Sequence, residues 1–192
     1  MRVPRGDADG YWFSKVRRRF EDDRMPHELT FSCYHRFPFL DRDLTRIWFV
    51  EALQTCRLNE PIDLFAWVIM PEHVHLIVAP RKPGVPIGRI IGRVKESVSR
   101  KAVARLKEHS TEWLSRITVQ EGKTTRHRFW QPGGGYDRNI DQETTLGAMI
   151  DYLHSNPVRR KLVERADEWE WSSARWYAGV RPVQLEMDPL PC

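Results

Sequence analysis

Residues 62–80 read IDLFAWVIMPEHVHLIVAP, and the fold turns on how they are read. Ile62 to Met70 is a nearly continuous apolar run with β-branched and aromatic content, which predicts a buried strand. His73 to Pro80 predicts a second. Only Pro71 and Glu72 separate the two, so they must pair as an antiparallel hairpin. Strand alternation puts His73 and His75 on one face and turns Val74 to the other. Both imidazoles can then approach one ion, although a divalent ion would need a third ligand and open positions for substrate oxygens. The ordinary alternative is a pair of half-exposed strand histidines.

Outward from the hairpin, Glu28–Tyr34 (ELTFSCY) predicts an earlier strand. Asp41 is a candidate N-cap for a helix over Arg42–Leu58, where Leu44, Ile47, Trp48, Ala52 and Cys56 fall near a 3.6-residue period. Gly84–His109 predicts a second, longer amphipathic helix through Ile87, Ile90, Ile91, Val94, Val98, Ala102 and Leu106. Ser110–Thr125 suggests a short strand near Arg116–Glu121 and a turn at Gly122. Arg128–Gln131 reads as a strand that Pro132-Gly133-Gly134-Gly135 interrupts, and Tyr136–Ile140 resumes extended structure. A third helix is expected from Asp141 to Asn156, because Pro157 disfavours helical backbone in the residue before it. Trp169–Ser173 looks like a cap before a short helix. The order strand, helix, strand, strand, helix, strand, helix predicts an α+β fold, a central antiparallel sheet with helices packed on it. Residues 1–26 are expected to be an irregular, basic lead-in, 27–178 a single domain, and 179–192 an extended tail around Pro182, Pro189 and Pro191.

The net charge is +5, the pI about 9.3 and the mean hydropathy −0.58. No apolar run approaches the roughly 20 residues of a membrane helix, and no secretion signal is visible. Three cysteines, Cys33, Cys56 and Cys192, have neither zinc-site spacing nor an even count, which suits a reducing cytoplasm. The positive charge is clustered: Arg17–Arg19, then Arg89, Arg93, Lys95, Arg100, Lys101, Arg105 and Lys107, then Arg159–Lys161. Such clusters suit phosphate neutralisation, although solvated helix faces look the same.

The third helix carries the rest of the chemistry. Tyr152 and Asn156 are four residues apart and share a face. A phenol attacks a phosphodiester well only when a metal polarises the phosphate and the phenolic proton is drawn off. Asn156 could supply a third metal ligand through its amide oxygen, whereas His154 lies far around the helix. Taken alone, Tyr152 reads as a core aromatic with its hydroxyl at the surface.

Taken together, the motifs resemble a known family. Met70-Pro71-Glu72-His73-Val74-His75-Leu76-Ile77 resembles the His-hydrophobic-His signature of the HUH endonucleases. Tyr152-Leu153-His154-Ser155-Asn156-Pro157-Val158-Arg159 resembles the tyrosine helix of their single-tyrosine transposases. Phe129-Trp130-Gln131, Tyr136-Asp137-Arg138 and Trp171-Ser172-Ser173-Ala174 look like the REP-associated tyrosine transposases in particular. The likeness spans about Glu28 to Tyr177. It implies a ferredoxin-like, RRM-like palm. It also implies a Mg²⁺- or Mn²⁺-dependent endonuclease and strand-transferase that cuts single-stranded DNA near hairpin (REP-like) repeats through a 5′-phosphotyrosine link. By resemblance His73 and His75 are metal ligands, Tyr152 is the nucleophile, and Asn156 stands where related enzymes often place Gln. The REP-associated branch is monomer-like, and such an enzyme belongs in the cytoplasm with the nucleoid.

The expected DNA contacts are Arg89, Arg93, Lys95, Arg100 and Lys101 on the second helix, with Arg138, Arg159 and Arg160 nearer the site. Trp130 is either a platform for an unstacked base or plain core. The triple glycine widens the segment before Tyr136, and Tyr136 is a lesser candidate for the nucleophile. Two other readings stand beside this one. One is an inactive nucleic-acid binder on the same sheet, against which the intact motifs speak. The other is a hydrolase in which water attacks with help from Glu72, which alternation would turn away from the histidines.

Overall fold

The computed structural model describes residues 2–7, 10–15, 24–140 and 143–191. The central elements are β3 (His27–Ser32), α1 (Asp43–Asn59), β4 (Ile62–Ile69), β5 (His73–Pro80), α2 (Ile87–His109), β8 (Tyr136–Asn139) and α4 (Glu143–His154). Two hairpins stand apart from them: β1 (Arg2–Asp7) with β2 (Gly10–Lys15), and β6 (Thr118–Glu121) with β7 (Thr124–His127). Short helices α3 (Thr111–Ile117), α5 (Asn156–Arg159) and α6 (Ala174–Tyr177) complete the set. The main sheet has the order β4-β5-β3-β8, antiparallel throughout. With the βαββαβ succession of its elements, this is the ferredoxin-like arrangement.

The strands are buried because the sheet is covered on both faces. Leu29, Phe31, Trp67, Ile69, Val74, Leu76 and Val78 pack against Phe49 and Leu53 of α1 and Ile90, Ile91, Val94 and Val98 of α2. On the other face Phe65, Ala66, Val68, Met70, Ile77 and Ala79 meet Leu146, Ile150 and Leu153 of α4. A β-bulge between Leu64 and Ala66 lets the consecutive Phe65 and Ala66 face the same layer, after which alternation resumes. Val74 lies in the first layer, so His73 and His75 share the α4 side with Ile77.

Several expectations change. Part of the lead-in forms the β1–β2 hairpin, in which Asp7 pairs with Gly10. Asp41 does not cap α1: Arg42 holds that position without a side-chain cap, and Asp41 lies 3.5 Å from Arg46. The uncertain segment after α2 holds helix α3, supported by an Arg116–Glu112 pair at i,i+4, and both arms of a hairpin around Gly122. Arg128–Gln131 is reduced to one bridge, Trp130 with Cys33.

The third helix ends at His154, and α5 restarts at Asn156 with Pro157 in its first turn, where a missing N–H costs nothing. Trp171–Ser173 runs along the free edge of β4: the Ile69 N–H donates to Trp171 O (2.9 Å) and the Ser173 N–H to Trp67 O (2.9 Å). That covers an edge which could otherwise pair with another chain. The tail has no regular structure, but it is docked. Leu185 and Met187 are core residues, and Asp188 accepts from the Leu64 N–H and from Arg57, both at 2.8 Å. No helix among the described residues is long and apolar enough to cross a membrane.

Candidate active site

His73 and His75 converge. Their Nε2 atoms lie 2.9 Å apart, so either one ring donates to the other or the two lone pairs share a cation. His75 Nδ1 is 2.8 Å from Thr30 Oγ1 on the paired strand. If Nδ1 carries the proton and donates it to that hydroxyl, Nε2 keeps its lone pair, the form a ligand needs. Burial, with His73 and Arg36 nearby, pushes the His75 imidazole down to about 3; burial also lowers His73, against the opposing pull of Glu72. Both rings are therefore neutral near pH 7. Among the described residues no group of three His, Cys, Asp or Glu side chains has ligand geometry. A cation held by this pair would take further oxygens from an amide, a hydroxyl or the substrate.

Glu72 is buried against the pair rather than turned away from it. It sits in the bend before β5, where strand alternation does not apply, and its Oε1 lies 3.2 Å from His73 Nδ1. The same oxygen accepts from Arg160 Nη1 (2.7 Å) and Arg36 Nη2 (3.3 Å). Burial alone would raise the Glu72 carboxyl, but Arg160, His73 and Arg36 hold it below its ordinary value. Arg36 belongs to a strained turn: His35 and Arg36 both have left-handed backbone, with φ of 50° and 54°.

Tyr152 is on the outer face of α4 and is 53% exposed, while Ile150 and Leu153 face the sheet. It is therefore not a core aromatic. The Arg159 guanidinium lies 4.8 Å from its ring centroid. His154 points inward, 2.8 Å from Ser173 Oγ, and burial lowers it to about 4. Asn156 caps the end of α4, its Nδ2 donating to Leu153 O (3.0 Å) and Tyr152 O (3.3 Å). The i,i+4 relation with Tyr152 survives the helix break, and Oδ1 is the amide atom left for other partners. Just beyond α5, Arg160 reaches Glu72. Tyr136 is 45% exposed and pairs across β3 in the row Tyr136–Thr30–His75, so it shares the histidines' face.

The triple glycine is pinned to the sheet at one point. Gly135 has φ +75°, and a Cβ there would lie 2.3 Å from Thr30 O. Trp130 is 7% exposed; its Nε1–H donates to Lys95 O (2.9 Å), and its ring packs on Phe31 and Phe129. It packs into the core, and its side chain borders the groove between α2 and the glycine segment. On α2, Arg89 and Arg100 are exposed, Arg93 pairs with Glu60, and Lys101 pairs with Glu51 at 2.8 Å. Lys95 is half-buried over Phe31. Helix α2 covers the face opposite the histidines, so its basic residues form a surface separate from Arg36, Arg159 and Arg160. Arg138 is exposed on the edge strand, opposite Glu28. Sequence reasoning missed Thr30, Arg36 and the orientation of Glu72, all of which depend on pairing or on a turn that no periodicity announces.

Comparison with known proteins identifies the fold and the family. A REP-associated tyrosine transposase of Haemophilus influenzae (strain ATCC 51907 / DSM 11121 / KW20 / Rd) is 25% identical over 136 residues, 71% of this chain and 69% of that one. The solved structure of a REP-associated tyrosine transposase bound to a REP hairpin shares the fold, with a TM-score of 0.65 at 20% identity, covering 91% of this chain and 92% of the other. The profile of the IS200-like transposases matches residues 23–156, from just before β3 to the first residue of α5. The chain belongs to the IS200-like transposase family.

Proposed function

We propose that this chain is a DNA strand-transferase that cleaves single-stranded DNA near hairpin repeats through Tyr152, with a divalent cation, Mg²⁺ or Mn²⁺, held by His73 and His75. The observation that carries the reading is the joining of two arms: the convergent imidazoles on β5 are linked through Glu72 and Arg160 to the segment that follows Tyr152. On this reading the chain acts as a monomer, with Arg160, just beyond the tyrosine arm, paired to Glu72 beside the histidines of the same chain. The partner is proposed from the similar protein whose structure holds a REP hairpin.

The histidine pair fits a cation, since two neutral imidazoles aim their Nε2 atoms at one region, Thr30 engages His75 Nδ1, and the Glu72 carboxylate lies 3.2 Å from His73 Nδ1. Asn156 Oδ1 would complete the set. A bound ion would withdraw charge from the scissile phosphate. Tyr152 Oη forms a bond to phosphorus as the bond to the 3′ oxygen breaks. The phenolic proton leaves to solvent, and the departing strand ends in a 3′-OH. One phosphodiester replaces another, so a second 3′-OH can reverse the step without ATP. Arg159, against the tyrosine ring, offers positive charge to the incoming phosphate; Arg36 and Arg160 add positive charge behind the histidines.

Glu72 is already engaged by two arginines and His73, which argues against its serving as the base for an attacking water. The test is incubation with Mn²⁺ and a hairpin oligonucleotide carrying single-stranded flanks. A denaturant-resistant protein–DNA band absent from Tyr152→Phe supports the proposal; cleavage without an adduct supports a hydrolase, and binding with neither an inactive binder.

A further inference from the structure

On the face of the sheet opposite the histidines, a groove of about 360 Å³ runs between α2 and the glycine segment before β8. Its floor is apolar, with Leu29 and Ile91, and glycines form part of its walls. Gly92 is the telling one. It lies inside a long helix, where glycine is less favourable than alanine, and a Cβ at this position would meet nothing within 4 Å. Packing gives no reason for a glycine there. What the missing side chain provides is space in the groove.

The groove is also functionalised. The Lys95 ammonium is held 5.2 Å from the Phe31 ring centroid and 3.5 Å from Gly133 O, and it has no ion pair among the described residues. Burial lowers its affinity for the proton, as expected of an ammonium short of solvent and counter-charge. Glu96 also lines the groove, as does Asp137, whose Oδ1 lies 2.9 Å from His27 Nδ1. A phosphate carries only acceptors and would meet both carboxylates unfavourably. The edge of a nucleobase offers acceptors to a lysine and N–H donors to a carboxylate.

We propose that this groove holds one unstacked nucleobase of the bound DNA strand, its ring over the glycine wall and Lys95 donating to an acceptor on its edge. This rests on the DNA-processing reading but concerns a face remote from the cleavage chemistry. The test measures binding, by fluorescence anisotropy at fixed salt, of hairpin oligonucleotides with a single-stranded flank in which each base in turn is removed. Loss of a stacked and bonded base should weaken wild-type binding about tenfold at one flank position. Gly92→Leu, which fills the groove, should lose the same factor with the intact oligonucleotide and become indifferent to that abasic site. Lys95→Met should lose part of the factor. Gly92→Ala should melt at or above the wild-type temperature, showing that the fold does not require this glycine. Wild-type affinity in Gly92→Leu, or an abasic penalty that persists in it, overturns the groove while leaving the DNA reading intact. A wild-type protein that binds no such oligonucleotide overturns both.

Discussion

Arg160 donates a 2.7 Å hydrogen bond to Glu72, and the accepting oxygen lies 3.2 Å from His73 Nδ1. A residue just past the tyrosine arm is thus linked, through one buried carboxylate, to the histidine strand. Arg160→Ala should slow covalent adduct formation roughly 10- to 100-fold, the range for outer partners of a ligand, with hairpin affinity changed little. Arg160→Lys should restore part of the rate, because a lysine can still reach one carboxylate oxygen. Since the Arg160 side chain is half exposed, the cost to folding should stay near ~1 kcal/mol. Equal losses of rate and stability would make the link merely structural.

Acid should destabilise the fold before any carboxylate of ordinary affinity is protonated. His75 and His154 titrate near 3 and 4 in the folded chain, against 6.5 for a free imidazole. Between those values the unfolded chain binds more protons, so their stabilising contribution is complete above about pH 6.5 and falls as pH drops toward 4. Melting temperature measured from pH 7.5 to 4.5 should decline over that window. His154→Gln, which keeps a partner for Ser173, should flatten the decline; an unchanged slope would contradict the assignment.

Gly135→Ala places a methyl against the Thr30 carbonyl in a backbone conformation that L residues rarely adopt. The combined clash and strain should cost about 2–4 kcal/mol in denaturant unfolding. Gly133→Ala, with φ +95° but open space around it, should cost only about 1 kcal/mol.

Asp188→Ala removes the acceptor for the Leu64 N–H and the partner of Arg57. It should destabilise the protein by about 1–3 kcal/mol and expose the tail to protease. Resistance equal to wild type would mean that Leu185 and Met187 hold the tail unaided.

The fold and the two motifs were legible because each rests on a period. Alternation placed His73 and His75 together, and helical spacing separated His154 from the face of Tyr152; that this face is the exposed one is visible only in the packing of α4. What stayed hidden depends on non-local pairing. Glu72 was assigned to the wrong side because the strand starts one residue later. Trp130 reads in sequence as core or as a stacking platform, and its packing on Phe31 and Phe129 is visible only in the fold. The tail's prolines predict an extended segment, and its anchoring by Leu185, Met187 and Asp188 depends on partners far away in the chain.

The central claim concerns one oxygen atom. After incubation with Mn²⁺ and a flanked hairpin oligonucleotide, the adduct should be digested with nuclease and protease and the nucleotide-bearing peptide sequenced by mass spectrometry. The account predicts a phosphotyrosine at Tyr152, joined to the 5′ end of the cleaved strand. A nucleotide on Tyr136, which shares the histidines' face across Thr30, would contradict it and move the nucleophile to the sheet edge.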